Sequence, residues 1–396
     1  MTATVLRLLD QLGVLKDLLP FSRPMSSMTV VDDNLKSFGV VDFAELKDRY
    51  KRITWGKRVL SSVTEEDRVT LHCSDKSSVS ADLVIGADGA YSSIRQNMYK
   101  TMTKQGLKVS ESDTAPLRFD QHCTVGTAED LDPVLFPEID DAFCQFRFLH
   151  STKTPFTVWV APLPGRRLSW GISGKLVNPE THLEETFKAS DWEYEDAAKE
   201  MQKACEDLVC PYGGTMKDVF AKSRPETTSK IMLEEKWFNT WHVVDDVYHE
   251  RTVLIGDACH KVVPFGGQGA VQAILDAVSL VNLLYEIPST SAKDITKVFA
   301  AYYKERGTRS KAAVQFSEQL GTIVSGQGLK AGLIRKVWFN IPVWLLNVTV
   351  DSLNAVRPIL MCIPPVIDGG KVKAVEQKPA SRMRPDGPHY RKPVAV

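Results

Sequence analysis

Two segments of the 396-residue sequence bring apolar runs, glycines and an acid together in the same order. "DLVIGADGAYSSIR" covers 82–95 and "TVLIGDACHKVVPFGGQG" covers 252–269. Each reads as a buried strand that runs into Gly and Asp, then a turn, then a helix. An acid at such a turn can accept hydrogen bonds from ligand hydroxyls, or cap the helix that follows. In the second segment Pro264, Gly266, Gly267 and Gly269 fall just before a helix expected over 270–285. The unpaired N–H groups and positive dipole end of that helix can hold a developing anion. The glycines of 266–269 exceed what one helix start requires. In an open parallel sheet, ligands gather at the carboxyl ends of the strands, so Asp88 and Asp257, with Gly256 freeing the backbone beside Asp257, are expected at one crevice.

Plainer roles compete for the same residues. A lone strand-Gly-Asp-helix turn is structural in many α/β proteins, with Gly permitting the turn and Asp capping the helix. Ser92 reads as a cap rather than a reactive hydroxyl. His260 lies three residues from Asp257, but residues so spaced at a strand-to-helix turn need not face each other, so no catalytic pair is assigned. Cys259, with no basic helix end near it, reads as buried. The seven cysteines are odd in number and form no C-x-x-C pair, which favours reduced thiols and no metal site.

The elements that must position these residues follow from periodicity. Apolar residues at three- and four-residue steps from Val5 to Leu19 predict an amphipathic helix, and 28–43 gives two short apolar runs around a polar turn. "SSVTEEDRVTLHC" predicts a hairpin feeding a buried strand over 83–86. From 115 to 177 aromatic and β-branched runs such as "FCQFRFL", "FTVWVAPLP" and "RLSWGISGKL" predict a second sheet. Helices are expected over 181–208 and 215–222, a strand over 253–255, and a long helical region over 268–338. Strands from 53–86 and 253–255 should share one sheet around a β-rich insertion. The fold class is therefore α/β (α+β), with a discontinuous first domain.

Lys+Arg and Asp+Glu balance at 49 each, so no global field attracts nucleic acid. Arg7 and Asp10 interrupt the N-terminal apolar run, unlike the apolar core of a signal peptide, so a cytoplasmic protein is expected. The uncharged stretch 337–350 is too short to span a bilayer and is interrupted by Pro342. It is expected to pack as a C-terminal lid, with peripheral membrane contact as the alternative.

The two segments together resemble the signatures of the FAD-dependent, aromatic-hydroxylase-type monooxygenases, fungal members above all. "DLVIGADGAYSSIR" is similar to D-x-x-I-G-A-D-G-x-x-S-x-x-R, and "GDACHKVVPFGGQGAVQAILDAVSL" to G-D-A-x-H-x-x-x-P-x-x-G-Q-G-x-N-x-A-x-x-D-A. The resemblance implies a Rossmann-like FAD-binding domain over 1–114 and 240–290, a substrate domain over 115–239, a helical region over 291–370 and a tail over 371–396. It implies that Asp257 accepts from the flavin ribityl chain, and that the amides near Gly269 and Ala270 face the ring edge that becomes anionic on reduction. Asp88, Gly89 and Arg95 would lie by the pyrophosphate and nicotinamide path. NADPH or NADH would be the reductant, and one oxygen atom would enter an aromatic or polycyclic apolar substrate. Phe146, Phe148, Trp159 and Trp170 are expected along the substrate pocket. A flavin-dependent reductase, or a flavin-free binding protein, would be the alternatives.

Three departures accompany the match. The family opens with a strand and G-x-G-x-x-G, which is absent here; the only match to the looser G-x-G-x-x-[GA], "GQGLKA" at 326–331, reads as a helix-breaking turn. Nothing near 48–55 resembles the family's R-x-x-L helix, and Val271 stands where the family carries Asn. Two readings of the first gap stand side by side: a shortened or mis-spliced gene product, and a paralogue that has lost cofactor binding.

Overall fold

The computed structural model describes residues 8–9, 11–12, 25–31, 37–42, 58–65, 67–175, 195–243, 251–326, 328–342 and 358–363. The N-terminal helix expected over 1–19 is thus seen only at Leu8, Leu9, Gln11 and Leu12, and 181–194, 343–350 and the tail lie outside the described residues. Among the described residues no helix is long and apolar enough to cross a membrane.

Both motifs leave neighbouring strands. β6 (Val84–Gly86) and β12 (Thr252–Leu254) pair in parallel, with Val84 opposite Thr252 and Gly86 opposite Leu254. The turn after each strand therefore emerges at the same sheet end, as the apolar runs predict. The hairpin before β6 is real, but β3 (Val59–Thr64), β4 (Val69–Cys73) and β5 (Ser78–Ala81) form their own three-stranded antiparallel sheet. They do not share the sheet of β6 and β12, contrary to the sequence expectation. Val69, the first residue of β4, is fully buried against the same core as Val84, Ile94 and Val253.

The larger sheet has eight strands. It contains β1 (Met25–Val31), β2 (Ser37–Asp42), β7 (Arg118–Ala128), β8 (Cys144–His150), β9 (Thr157–Leu163), β10 (Arg167–Lys175), β11 (Ser229–Trp237) and β13 (His260–Lys261). Their order is β13-β11-β7-β10-β9-β8-β1-β2. The β1–β2 hairpin was expected in the first domain; it joins this sheet instead, because β1 pairs in parallel with β8. Large and small residues face each other across the strands. Trp170 lies opposite Gly126, where a Cβ would come 2.5 Å from its ring, and Trp159 lies opposite Gly171, where a Cβ would come 2.2 Å away. Residues 170 and 171 alternate faces, so the sheet carries a tryptophan-glycine pair on each side.

One face is covered by α3 (Glu195–Cys205) and α4 (Met216–Ala221). There Trp170 is buried with Met201, Cys205, Leu208, Met216 and Val219. The other face meets the second motif. Before α3, in chain order, stand α1 (Ser93–Lys104) and the short α2 (Glu111–Thr114). After β13 come α5 (Gly269–Tyr285), α6 (Ala292–Ser325) and α7 (Gly328–Trp338). The division at 290/291 does not separate packing units, because Phe299 and Tyr302 of α6 are buried in the core around β6 and β12. α6 is also a close-approach helix: a Cβ on Gly321 would lie 2.6 Å from the Phe265 ring, and one on Gly266 would lie 2.4 Å from Ser317 Oγ. The "GQGLKA" turn is as expected, with Gly326 closing α6 and α7 starting two residues on.

Candidate functional site

In the first motif Asp88 turns toward its own helix. One carboxylate oxygen accepts from the Ser92 hydroxyl, and the other from the Ile94 N–H at 3.1 Å. Ser92 caps α1 by accepting from the Arg95 N–H at 2.9 Å. Ser92→Ala therefore removes a cap and one of the Asp88 contacts, and should lower the unfolding free energy by about 1 kcal/mol in urea titrations. Gly89 has a φ of +85° and nothing within 4 Å of where a Cβ would stand, so this turn needs glycine for conformation and leaves open space beside it.

Arg95 does not face that space. Its guanidinium donates to the Ala90 carbonyl at 2.6 Å and to the Ala258 carbonyl at 2.8 Å, and stacks 3.9 Å from the Phe238 ring centroid. Both hydrogen bonds are buried, one within the first motif and one to the second, so Arg95 fastens the two turns together. Tyr91, next along, donates to Glu234 on β11, and burial together with that carboxylate raises its phenol above the ordinary value.

The second motif begins with Gly256 at a φ of +59°, where a Cβ would also press on the Ala273 Cβ at 3.0 Å. Asp257 follows with its side chain 35% exposed, ion-paired to Lys261 at 2.8 Å. A 3₁₀ turn over Pro264–Gly266 is closed by the Gly267 N–H on the Pro264 carbonyl, with Gly267 at a φ of +60°. A Cβ on Gly267 or Gly269 would meet nothing within 4 Å. α5 then starts without a side-chain cap from Gln268 and without an acid in its first turn. Two bare glycines, an uncapped helix start at Gly269 and Ala270, and an accessible carboxylate fit the ring and ribityl end of a flavin: donors for an anionic edge, an acceptor for hydroxyls.

His260 faces away from Asp257. Its Nε2 lies 2.6 Å from Asp276 on α5, both side chains are fully buried, and Nδ1 has no hydrogen-bond partner among the described residues. Asp276 also accepts from the Gly256 N–H at 3.0 Å and from Arg306 Nε at 2.8 Å. Burial pushes the Asp276 carboxyl up, but the hydrogen bond and charge of His260 and then the charge of Arg306 outweigh it, holding the group below its usual value. Cys259, His260 and Asp276 have ligand-type atoms within 4.8 Å of one another. Three nitrogen groups already occupy the Asp276 oxygens, one of them a guanidinium, and burial raises the Cys259 thiol well above its ordinary value. The cluster therefore reads as a structural hub.

The expected pocket aromatics divide between faces. Trp170 belongs to the opposite core, with its Nε1 donating to Ser223 Oγ at 2.8 Å, so it is corrected from pocket wall to packing residue. Phe146 stacks on Trp159 with ring centroids 5.2 Å apart, and both sit with Phe148, Val263, Phe265 and Val324 under the second motif. Val271 is buried against Leu275. Of the expected lid over 337–350, residues 337–342 are described, and Phe339 packs half-buried against the cluster of Phe146 and Trp159; the later segment 358–363 lies elsewhere. Asn282 binds the Ile359 carbonyl and Met361 N–H, and Gln11 binds Leu360, at the far end of α5. Gly269 to Asn282 is about 20 Å of helix.

Sequence reasoning missed Arg306, Asp276 as a hub, and the Lys261 partner of Asp257. A signal for Arg306 existed: with Tyr302 and Ser310 it forms a four-residue stripe on α6, all three buried.

A family model described as an FAD binding domain matches residues 190–317. The chain is 28% identical over 277 residues to the FAD-dependent monooxygenase olcE of Penicillium canescens, covering 67% of this chain and 54% of that protein. It is 29% identical over 266 residues to the FAD-dependent monooxygenase atmM of Aspergillus flavus, covering 64% and 50%. The chain thus spans about half the length of these curated relatives. In fold it is similar to Klebsiella pneumoniae HpxO complexed with FAD and uric acid, at a TM-score of 0.58 and 18% identity, covering 87% of this chain and 83% of that one. It is also similar to a salicylate hydroxylase substrate complex, at a TM-score of 0.55 and 16% identity, covering 90% and 95%.

Proposed function

We propose that this chain, similar to FAD-dependent monooxygenases, binds FAD at the second motif and serves the insertion of one oxygen atom of O₂ into an aromatic or polycyclic apolar substrate, with NADPH or NADH as reductant. The observation that carries this reading is the uncapped start of α5 beside Gly267, Gly269 and the partly exposed carboxylate of Asp257.

Bound FAD would supply the redox chemistry and the reaction with O₂. The residues of this chain would do the rest. Asp257 would accept from ribityl hydroxyls in place of its contact with Lys261. The amides of Gly269 and Ala270, at the positive end of α5, would favour negative charge on a flavin ring edge held there. The aromatic group of Phe146, Phe148 and Trp159 offers an apolar wall that orients a ring and excludes water. In balance, NAD(P)H would give a hydride and solvent a proton, one oxygen atom would enter a substrate C–H bond as hydroxyl, and the other would leave as water. HpxO, of similar fold, holds uric acid, which supports a planar ring as the class of substrate.

The test is FAD titration of the full chain by flavin fluorescence quenching, followed by coupled measurement of NAD(P)H and O₂ consumption. Stoichiometric binding is expected. Asp257→Ala should weaken it about tenfold, the loss of one hydrogen-bonding carboxylate. A wild-type chain that takes up no FAD at saturating cofactor would sink the proposal, and NAD(P)H oxidation without O₂ uptake would replace oxygen insertion by a reductase reaction.

A further inference from the structure

The two working ends of the second motif, the Gly256–Asp257 turn and the Gly266–Gly269 turn, are joined from behind by a continuous run of hydrogen bonds. The Gly256 N–H and Arg306 Nε converge on Asp276 at 3.0 and 2.8 Å. Arg306 Nη2 donates to Gln272 Oε1, Gln272 Nε2 to Gln268 Oε1 at 3.0 Å, and Gln268 Nε2 to the Gly266 carbonyl at 3.2 Å. Asp276, Arg306 and Gln272 are all buried.

The polarity of this run is dictated by one group. A guanidinium only donates, so Gln272 must turn its oxygen toward Arg306 and its NH₂ toward Gln268. Gln268 must then turn its own oxygen toward Gln272, which leaves its NH₂ for the Gly266 carbonyl. Reversing either amide would set NH₂ against a donor. Arg306, more than thirty residues along the chain from Gly266 and outside both motifs, thereby orients two side chains in series and reaches a turn it does not touch.

We propose that Arg306 and Gln272 are positioning residues: a buried strut that fixes the 266–269 turn relative to Asp257, so that both ends of the flavin clamp are held at one spacing before cofactor arrives. The functional meaning of that spacing rests on the FAD reading above, but the strut itself is testable in the protein without added cofactor.

Gln272→Leu replaces the amide by an apolar, helix-favouring side chain and so cuts the run in the middle, and Gln272→Glu keeps the shape and the acceptor for Arg306 but removes the donor to Gln268. Hydrogen exchange followed by mass spectrometry would read peptides covering 264–270 and 252–258 in the chain without added FAD. Both variants should speed exchange over 264–270 by roughly three- to tenfold, the loss of one hydrogen bond, and leave 252–258 at the wild-type rate. In the FAD titration both should raise the dissociation constant by a similar factor. Wild-type exchange over 264–270 in either variant would overturn the proposal, as would equal acceleration of both peptides, which marks general loosening. If wild-type chain binds no FAD, the functional reading falls while the exchange comparison still decides for or against the strut.

Discussion

Asp276→Ala is expected to lower the unfolding free energy by about 3–5 kcal/mol, because it leaves the Arg306 guanidinium buried without its counter-charge. Arg306 is 3% exposed and Asp276 0%, so water cannot take the place of the lost carboxylate. His260 and the Gly256 N–H lose their acceptor at the same time. Urea titration of the variant beside wild type measures the difference, and a loss below about 1 kcal/mol would show that the hub carries no net stabilisation. The pH dependence has a definite sign. The folded-state carboxyl lies below its usual value of 3.8, so its contribution is complete above the unfolded value and is lost as pH falls through the folded one. The gap in stability between wild type and Asp276→Asn should accordingly be level above about pH 5 and close as the pH drops below about 4.

Arg95→Ala should cost about 3 kcal/mol. The substitution strands two carbonyls, Ala90 and Ala258, each worth about 1–3 kcal/mol when buried without a partner, and removes a cation stacked on Phe238. Burial draws the guanidinium below its ordinary value, with nearby Tyr99 and Asp88 opposing, which marks a cation kept inside for its geometry. Arg95→Lys should recover only a part, since one ammonium cannot meet both carbonyls and also lie flat on the ring. Thermal unfolding in the absence of FAD separates the two roles open to this residue. A residue that mainly contacts cofactor would leave the cofactor-free melting temperature unchanged; the packing described here requires it to fall by several degrees, about 2 °C or more per kcal/mol.

The strand pairing and the turn geometry were legible because they rest on local chemistry. "DLVIG" and "TVLIG" are short β-branched runs ending in glycine, and β6 and β12 are short strands that both end at the start of a motif. Ser92 could be read as a cap because caps depend on residues three positions away. The placement of the β1–β2 hairpin was not legible, since pairing with β8 more than a hundred residues later leaves no mark on either run. His260 shows the same limit inside a motif. The sequence rightly assigned it no pair with Asp257, but it did not mark Asp276 as the partner, which is set by the packing of α5 and α6. Trp170 and Trp159 occupy equivalent-looking runs, and only the sheet decides that one faces α3 and α4 and the other the clamp.

α6 is a single helix of 34 residues, about 50 Å of rigid backbone. It presents Arg306 to Asp276, then Ser317 to Gly266, then Gly321 to Phe265. Those three positions share one side because their separations of eleven and four residues lie close to whole helical turns. Inserting or deleting one residue between 306 and 317 would swing the later two by about 100° and drive larger side chains into the Phe265 ring. Chain length in that interval is therefore a fixed ruler for the clamp, as constrained as any side chain that touches it.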